Sequence, residues 1–138
     1  MPVLIDHIRD IPKKCFSKVE LCSIFPHCTK NVSLVYEYMP PHTKLPPVLH
    51  RRTDEMVYCL RGMFTACIGN KIYHLNPGNV VWIPKKTRHS FATGSNDVES
   101  LSLFIPAIHF DKNPDIFLMH TPNGKKGAKT NSIKIKRL

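Results

Sequence analysis

Two histidines and a glutamate stand out because each lies beside a predicted strand. His50 precedes a short loop, Glu55 stands where the next strand begins, and His89 begins a later strand. If all three side chains point into a barrel, they offer two imidazoles and one carboxylate, a set that suits a borderline divalent metal with open coordination positions. Burying a lone carboxylate in an apolar barrel is costly, so we expect a metal or a basic partner beside Glu55.

The rest of the chain predicts the short strands that would position these residues. Its 138 residues include 12 prolines and 6 glycines, a composition that argues against long helices. No helix-length periodic segment is present, so we predict an all-β sandwich or barrel. Residues 56–68 are expected to form a hairpin that turns at Arg61-Gly62. The predicted strands are 19–25, 32–38, 56–60, 63–68, 71–75, 80–83, 90–93 and 98–105.

Residues 50–62 and 78–89 resemble the two motifs of the cupin superfamily. In the first stretch, Glu55 and Gly62 are separated by the six residues that the family pattern requires. In the second, the family's glycine, proline and histidine keep their spacing at Gly78, Pro84 and His89. The resemblance covers roughly residues 32–108 and implies a double-stranded β-helix, or jelly roll. It also implies that His50, Glu55 and His89 are ligands of a divalent transition metal: Zn, Fe, Mn or Ni.

The chain departs from the family pattern at a third histidine. Where the family shows His-x-His, this chain has only one histidine, His50. If His50 is the second of the pair, Val48 stands in place of the first, and if His50 is the first, Arg52 stands in place of the second. Water could complete a three-ligand site, His42 in the proline-rich loop could supply the missing ligand, or the residues could merely hydrogen-bond inside a degenerate barrel. Two other departures are Lys86 in place of a glycine and Thr93 in place of an asparagine.

Strand alternation and loop charge suggest which residues would touch a ligand. If Glu55 faces the barrel, Cys59 does too, and Phe91 faces it together with His89. Five bases in the loops beside the proposed ligands would attract an anion such as a carboxylate or phosphate, although they could equally form an ordinary solvated surface. These bases are Arg51, Arg52, Lys85, Lys86 and Arg88. The predicted substrate-binding residues are Arg51, Arg52, Arg88, Cys59 and Phe91.

The same alternation turns Met56, Tyr58 and Leu60 outward. Such an apolar stripe on a small protein has to be covered by a second sheet or by a partner chain. Cupins commonly pair through surfaces of this kind, so the resemblance implies a homodimer.

Net charge divides the chain into a body and a tail. Of the +10 net charge, six bases and no acids fall in residues 122–138, which leaves 14 bases and 10 acids, or +4, in the rest. We therefore predict one domain over residues 1–121 and a flexible basic tail over 122–138. The tail could adhere weakly to nucleic acid or anionic membrane, but it lacks the interleaved aromatic residues of a specific nucleic-acid module.

Cysteine use and hydropathy bear on location. The five cysteines are odd in number and contain no CxxC pair, and the first ten residues lack the apolar core of a secretory signal. Apolar runs fall short of the ~18–20 residues that a membrane helix needs. We therefore expect reduced thiols in a cytoplasmic protein, with no membrane partner.

Two classes of function fit these features. One is a metal-dependent enzyme, an oxygenase, isomerase or lyase that acts on a small acid. No general base is assigned, and Tyr36, Tyr58 and His74 stay open as candidates. The other is a non-catalytic module that binds or senses a small molecule, which suits a single-domain barrel that lacks one histidine.

Overall fold

The computed structural model describes residues 2–110, 113–119 and 132–134. Within these ranges the chain forms one short 3-10 helix, Ile8–Asp10, and twelve β-strands. The first six strands are β1 (Lys14–Phe16), β2 (Val19–Ile24), β3 (Ser33–Met39), β4 (Val48–Leu49), β5 (Asp54–Arg61) and β6 (Phe64–Ile68). The last six are β7 (Lys71–Leu75), β8 (Val80–Ile83), β9 (His89–Thr93), β10 (Val98–Ile105), β11 (Phe117–Met119) and β12 (Ser132–Lys134).

The strands build two antiparallel six-stranded sheets. The first has the order β1-β2-β3-β10-β5-β8, and the second has the order β12-β11-β4-β9-β6-β7. This arrangement confirms the predicted all-β jelly roll. No helix among the described residues is long and apolar enough to cross a bilayer, and the cytoplasmic location stays a prediction.

The core lies between the two sheets and follows the alternation of the strands. In β10 every second residue is buried, from Val98 to Phe104, and in β5 the buried residues are Glu55, Val57 and Cys59. The second sheet contributes Phe64 and Phe91, whose rings lie 5.7 Å apart. The predicted inward and outward faces of β5 and β9 are therefore confirmed, and the buried face carries the three candidate ligands into the barrel.

The predicted hairpin over residues 56–68 is wrong. β5 pairs with β10 and β8 in the first sheet, whereas β6 pairs with β7 and β9 in the second. The chain crosses between the sheets at Gly62, which has φ of +81° and on which a Cβ atom would lie 2.2 Å from the Asp97 carbonyl oxygen. Glycine alone fits this close, left-handed corner. A turn signal in the sequence does not say whether the flanking strands share a sheet.

A short part of the predicted tail is described. Residues 132–134 form β12, which pairs with β11, and β11 pairs in turn with β4. These three residues are therefore a paired strand, because the open edge of β11 offers backbone groups for hydrogen bonding. The other residues of 122–138 lie outside the described residues, and their flexibility stays a prediction.

Candidate metal centre

The three predicted ligands meet between the two sheets. His50 follows β4, Glu55 lies on β5 of the first sheet, and His89 begins β9 of the second. Their exposed fractions are 5%, 3% and 1%. Antiparallel pairing of Val48 with His89 brings β4 beside β9, so two of the candidate ligands come from neighbouring strands and the third faces them across the barrel.

The ligand atoms lie within reach of one ion. Glu55 Oε1 is 3.0 Å from His50 Nε2 and 3.2 Å from His89 Nε2. The two imidazole rings are 5.0 Å apart, and one ligand atom from each residue lies within 4.8 Å of the others. The structure thus brings together the set that the sequence suggested from residues far apart in the chain.

The other nitrogen of each histidine is committed to a backbone carbonyl. His50 Nδ1 donates to the Asp115 carbonyl at 2.8 Å, and His89 Nδ1 donates to the Thr87 carbonyl at 2.9 Å. A carbonyl only accepts, so Nδ1 carries the hydrogen and a neutral ring presents a bare Nε2. Both bare Nε2 atoms then face the carboxylate oxygen, which is also an acceptor. A proton on one Nε2 satisfies only one of the two contacts, whereas a single metal ion can accept all three atoms as ligands, and this donor set fits a divalent transition metal.

The charges of the cluster reinforce one another. Burial by itself would raise the pKa of Glu55, but hydrogen bonds and positive charge from His50 and His89 hold it well below its usual range. Burial would lower the pKa of His50, yet the hydrogen bond and charge of Glu55 raise it above its ordinary value. Glu55 is therefore ionised, and without a metal a proton on His50 balances it.

Asp115 fixes the loop that carries His50. Its carboxylate accepts the backbone N–H groups of Arg51 at 3.0 Å and Arg52 at 2.7 Å, while its own carbonyl holds the His50 ring. The Lys86 backbone N–H donates to the His50 carbonyl at 2.6 Å. Sequence reasoning missed Asp115 because it lies 65 residues from His50 and in neither motif.

Burial distinguishes the two positions, Val48 and Arg52, at which the absent family histidine could have stood. Val48 is buried and lines the same cavity as His50, whereas Arg52 is exposed. The structure therefore matches His50 to the second histidine of the family pair and Val48 to the first. His42 is exposed and lies outside the described cluster.

The cavity around the cluster is small and mostly apolar. Its volume is about 60 Å³, which admits an ion and a few waters but is far below the ~300–1,000 Å³ of typical small-molecule pockets. The apolar part of its lining consists of Phe16, Leu21, Leu45, Pro46, Val48, Phe91, Phe104, Phe110 and Ile116. A metal in this setting would be largely shielded from solvent.

The predicted ligand-binding residues divide into two groups. Phe91 lines the cavity, but Cys59 is not in its lining: it lies four residues along β5 from Glu55, about 13 Å away in an extended strand, and its thiol donates to the Gly62 carbonyl. The arginines also lie outside the lining. Arg51 stacks over Phe117 at 4.1 Å, and Arg52 is exposed. Arg88 lines an adjoining groove of about 690 Å³, which shares part of its wall, including Phe91, with the cavity.

The three candidates for a general base lie away from the cavity. Tyr36 and Tyr58 belong to the outer face of the first sheet, where the Tyr36 hydroxyl donates to Glu99. His74 is exposed on β7. All five cysteines are free, as predicted.

Sequence reasoning missed a polar pair beside the cluster. Glu37 lines the cavity from β3, and the Ser102 hydroxyl lies within hydrogen-bonding distance of both Glu37 and Glu55. Alternation carried the signal, because Glu37 stands between Val35 and Met39, which are buried on the same face of β3.

Solved structures support the fold. A polyketide cyclase, RemF from Streptomyces resistomycificus, aligns with a TM-score of 0.69 and 17% identity, covering 77% of this chain and 81% of its own. A predicted oxalate decarboxylase from Thermotoga maritima aligns with a TM-score of 0.67 and 19% identity, covering 75% and 100%. Streptomyces PAC13, solved with uridine, aligns with a TM-score of 0.69 and 11% identity, covering 84% and 89%. At these identities the likeness establishes the fold alone.

Sequence comparison establishes the family. A search of curated proteins gives no match. The family model described as the cupin domain matches residues 35–104, which is 70 of the 138 residues and includes β5 to β9 with all three clustered side chains. The motif spacing, the two-sheet barrel and this match agree, and the chain belongs to the cupin family.

Proposed function

We propose that this cupin binds one divalent transition metal through His50, Glu55 and His89 and holds a small anionic molecule beside it. The observation that carries the proposal is the pair of Nε2 atoms, both with Nδ1 committed elsewhere, facing the ionised Glu55 carboxylate. Zn, Fe, Mn and Ni are all compatible with two imidazoles and a carboxylate.

The protein's own residues would prepare the metal site. Asp115 and Thr87 orient the two imidazoles, and the small, mostly apolar cavity leaves room for only a few waters. A bound metal would supply Lewis-acid polarisation of a ligand oxygen. Such a site supports oxygenase, isomerase or lyase chemistry on a small acid.

The anionic character of the ligand is inferred from the two basic loops. The contact between Lys86 and His50 joins the loop of Arg51 and Arg52 to the loop of Lys85 and Lys86 at one end of the barrel. Because these side chains are exposed and outside the cavity lining, their role is to raise the local concentration of an anion. A carboxylate or phosphate group suits this field.

The proteins with similar structures favour small-molecule chemistry. They include a polyketide cyclase, a predicted oxalate decarboxylase and a nucleoside dehydratase. The alternative, a non-catalytic binding or sensing module, is favoured by Val48, which lines the cavity where the family has a ligand. Proton NMR of the metal-loaded protein with a panel of small carboxylic acids separates the two: new product resonances indicate an enzyme, and ligand broadening without product indicates a binding module.

We also propose that two copies of the chain pair through the outer face of β5 and β8. Cross-strand pairs place Met56 beside Trp82 and Tyr58 beside Val80. Trp82 and Val80 are 51% and 53% exposed, so this apolar surface meets water in a single chain. A second copy would remove it from water, which is the usual fate of a large apolar patch.

Elemental analysis of protein purified without chelators tests the metal. We expect roughly one transition metal per chain, the ratio that a single structural or catalytic site requires. The metal content of His89→Ala should fall to background. His74→Ala, which removes an exposed histidine outside the cluster, should keep the metal content of the wild type. Background metal in the wild type, or equal content in the two variants, would contradict the proposal.

A further inference from the structure

The cavity has a second carboxyl group that the metal cluster leaves unused. Glu37 projects from β3 on the same face as the buried Val35 and Met39, is itself half-buried, and lines the cavity. The three clustered side chains line the same cavity. Among the described residues, the only hydrogen-bond partner of its carboxyl group is Ser102. Ser102 is fully buried on β10, which lies between β3 and β5 in the first sheet. Glu37, Ser102 and Glu55 therefore form a hydrogen-bonded series across three adjacent strands.

The number of hydrogen atoms available limits how this series of three side chains can be protonated. Ser102 Oγ is 3.0 Å from Glu55 Oε2 and also lies within hydrogen-bonding distance of Glu37 Oε1. A hydroxyl group carries one hydrogen, and an ionised carboxylate carries none. If both carboxyl groups were ionised, one of the two contacts would join oxygen atoms with no hydrogen between them. One of the two glutamates must therefore bring a proton.

The surroundings decide which glutamate is neutral. Glu55 Oε1 faces the two imidazoles, which stabilise its negative charge. Glu37 has no such partner, and no lysine or arginine is among the described residues that line the cavity. Partial burial in the cavity, helped by the nearby charge of Glu55, raises the pKa of Glu37 to about 8. A hydrogen bond that Ser102 could donate to the ionised form opposes this rise.

The titratable groups that face Glu37 come from three elements. They are Glu55 on β5, His89 on β9 and His50 after β4, while the remaining elements contribute apolar side chains or serine to the lining. The two histidines pair directly with Glu55. They therefore stabilise the negative charge of Glu55 and not a charge on Glu37.

We propose that Glu37 is the proton donor of the cavity, a neutral carboxylic acid whose O–H donates to Ser102 Oγ while the Ser102 hydroxyl donates to Glu55. A ligand that develops negative charge on an oxygen or carbon atom would take this proton. The O–H bond of Glu37 breaks, an O–H or C–H bond forms on the ligand, and a proton from water later restores the acid. The protonation of Glu37 stands by itself, whereas its use in turnover rests on the proposed function.

Infrared spectroscopy of the metal-free protein at neutral pH tests the protonation directly. We expect the C=O stretching band of a protonated carboxylic acid, absent from Glu37→Gln and retained in Glu99→Gln, which removes a carboxylate on the outer face of β10. Ser102→Ala should shift the band, because the acid loses its hydrogen-bond acceptor.

Isotope labelling keeps the test valid if Glu37→Gln does not fold. In wild-type protein with carboxyl-¹³C glutamate, the band should move to lower frequency. No band in the wild type, a band unmoved by labelled glutamate, or a band retained in a folded Glu37→Gln variant would each overturn the proposal. Because no metal is present, these outcomes are independent of whether the cluster binds one.

Discussion

Glu55 receives contacts on both of its carboxylate oxygens, and this double engagement defines the chemistry of the centre. Oε1 faces two imidazoles and Oε2 faces Ser102. The first side is suited to a metal and the second connects to a stored proton on Glu37. A buried carboxylate with this many partners can stay ionised in an apolar barrel.

Val48→His should strengthen metal binding. Val48 lines the cavity next to His50 and occupies the place of the missing family histidine, so an imidazole there would add a fourth protein ligand. We expect affinity for Co²⁺ to rise at least about tenfold, or about 1.4 kcal/mol, in a competition titration against a chromophoric chelator. The Co²⁺ affinity of Val48→Leu, which changes the cavity wall without adding a ligand, should not rise. Equal affinity of Val48→His and wild type would count against the match of Val48 to the ligand position.

Glu37→Gln should flatten the pH dependence of stability. Between its ordinary pKa near ~4.3 and its raised pKa of about 8, Glu37 keeps its proton in the folded chain and loses it in the unfolded chain. The contribution of Glu37 to stability should therefore fall as pH rises through this window, by at most about 1.4 kcal/mol per pH unit. Urea unfolding of metal-free protein between those limits measures the slope, and Glu37→Gln should lack this component.

Glu99→Gln is the control for this slope. Hydrogen bonds from Tyr36 and Arg61 lower the pKa of Glu99, so its stabilisation is present above its unfolded pKa and is lost only as pH falls below it. Its profile should run parallel to the wild type in the window above. A Glu37→Gln profile that also runs parallel to the wild type would show that Glu37 is not protonated there.

At the scale of the strand and loop, the sequence predicts features that depend on neighbouring residues better than features that depend on residues far apart in the chain. Alternation along β5 correctly placed Glu55 inward and Tyr58 outward, because burial alternates within a single strand. The partner of each strand is a property of the whole sheet, so the crossover at Gly62 was mistaken for a hairpin turn. Asp115 was missed for the same reason: only the folded chain brings it to His50.

Lys86→Gly should stabilise the fold. Lys86 has φ of +64°, and a left-handed backbone costs a side-chain-bearing residue about 1–2 kcal/mol. The added entropy of glycine in the unfolded chain offsets part of this gain, so we expect a net stabilisation of up to about 1 kcal/mol in thermal or urea unfolding. Lys85→Gly is the matched control, since Lys85 has no positive φ and should be destabilised. A loss of stability in Lys86→Gly would show that the lysine side chain itself stabilises the loop.

At the scale of the whole molecule, the two sheets present different outer surfaces. The first carries the apolar face of Tyr58, Val80 and Trp82, and β8 is its terminal strand. On the second sheet Ile72 is exposed, beside a groove that also holds Lys44 and Arg88. This asymmetry is why we assign the contact between copies to the first sheet.

Trp82→Glu should separate the proposed dimer. A charge at this position would have to be buried without a partner in the interface. Sedimentation velocity should give twice the chain mass of 15.8 kDa for the wild type and a single-chain mass for Trp82→Glu. Ile72→Glu, at a residue that is 68% exposed on the other sheet, should remain dimeric. A monomeric wild type, or dissociation by Ile72→Glu alone, would contradict the assignment.

The location of a bound ion tests the central claim most directly. Crystals of the protein grown with Co²⁺ and measured at the cobalt edge give an anomalous difference map in which cobalt is by far the strongest anomalous scatterer. We predict one strong peak between His50 Nε2, His89 Nε2 and Glu55 Oε1, at the ~2.0–2.2 Å distances usual for nitrogen and oxygen ligands. An empty cavity, or a peak only at histidines outside this cluster, would contradict the account.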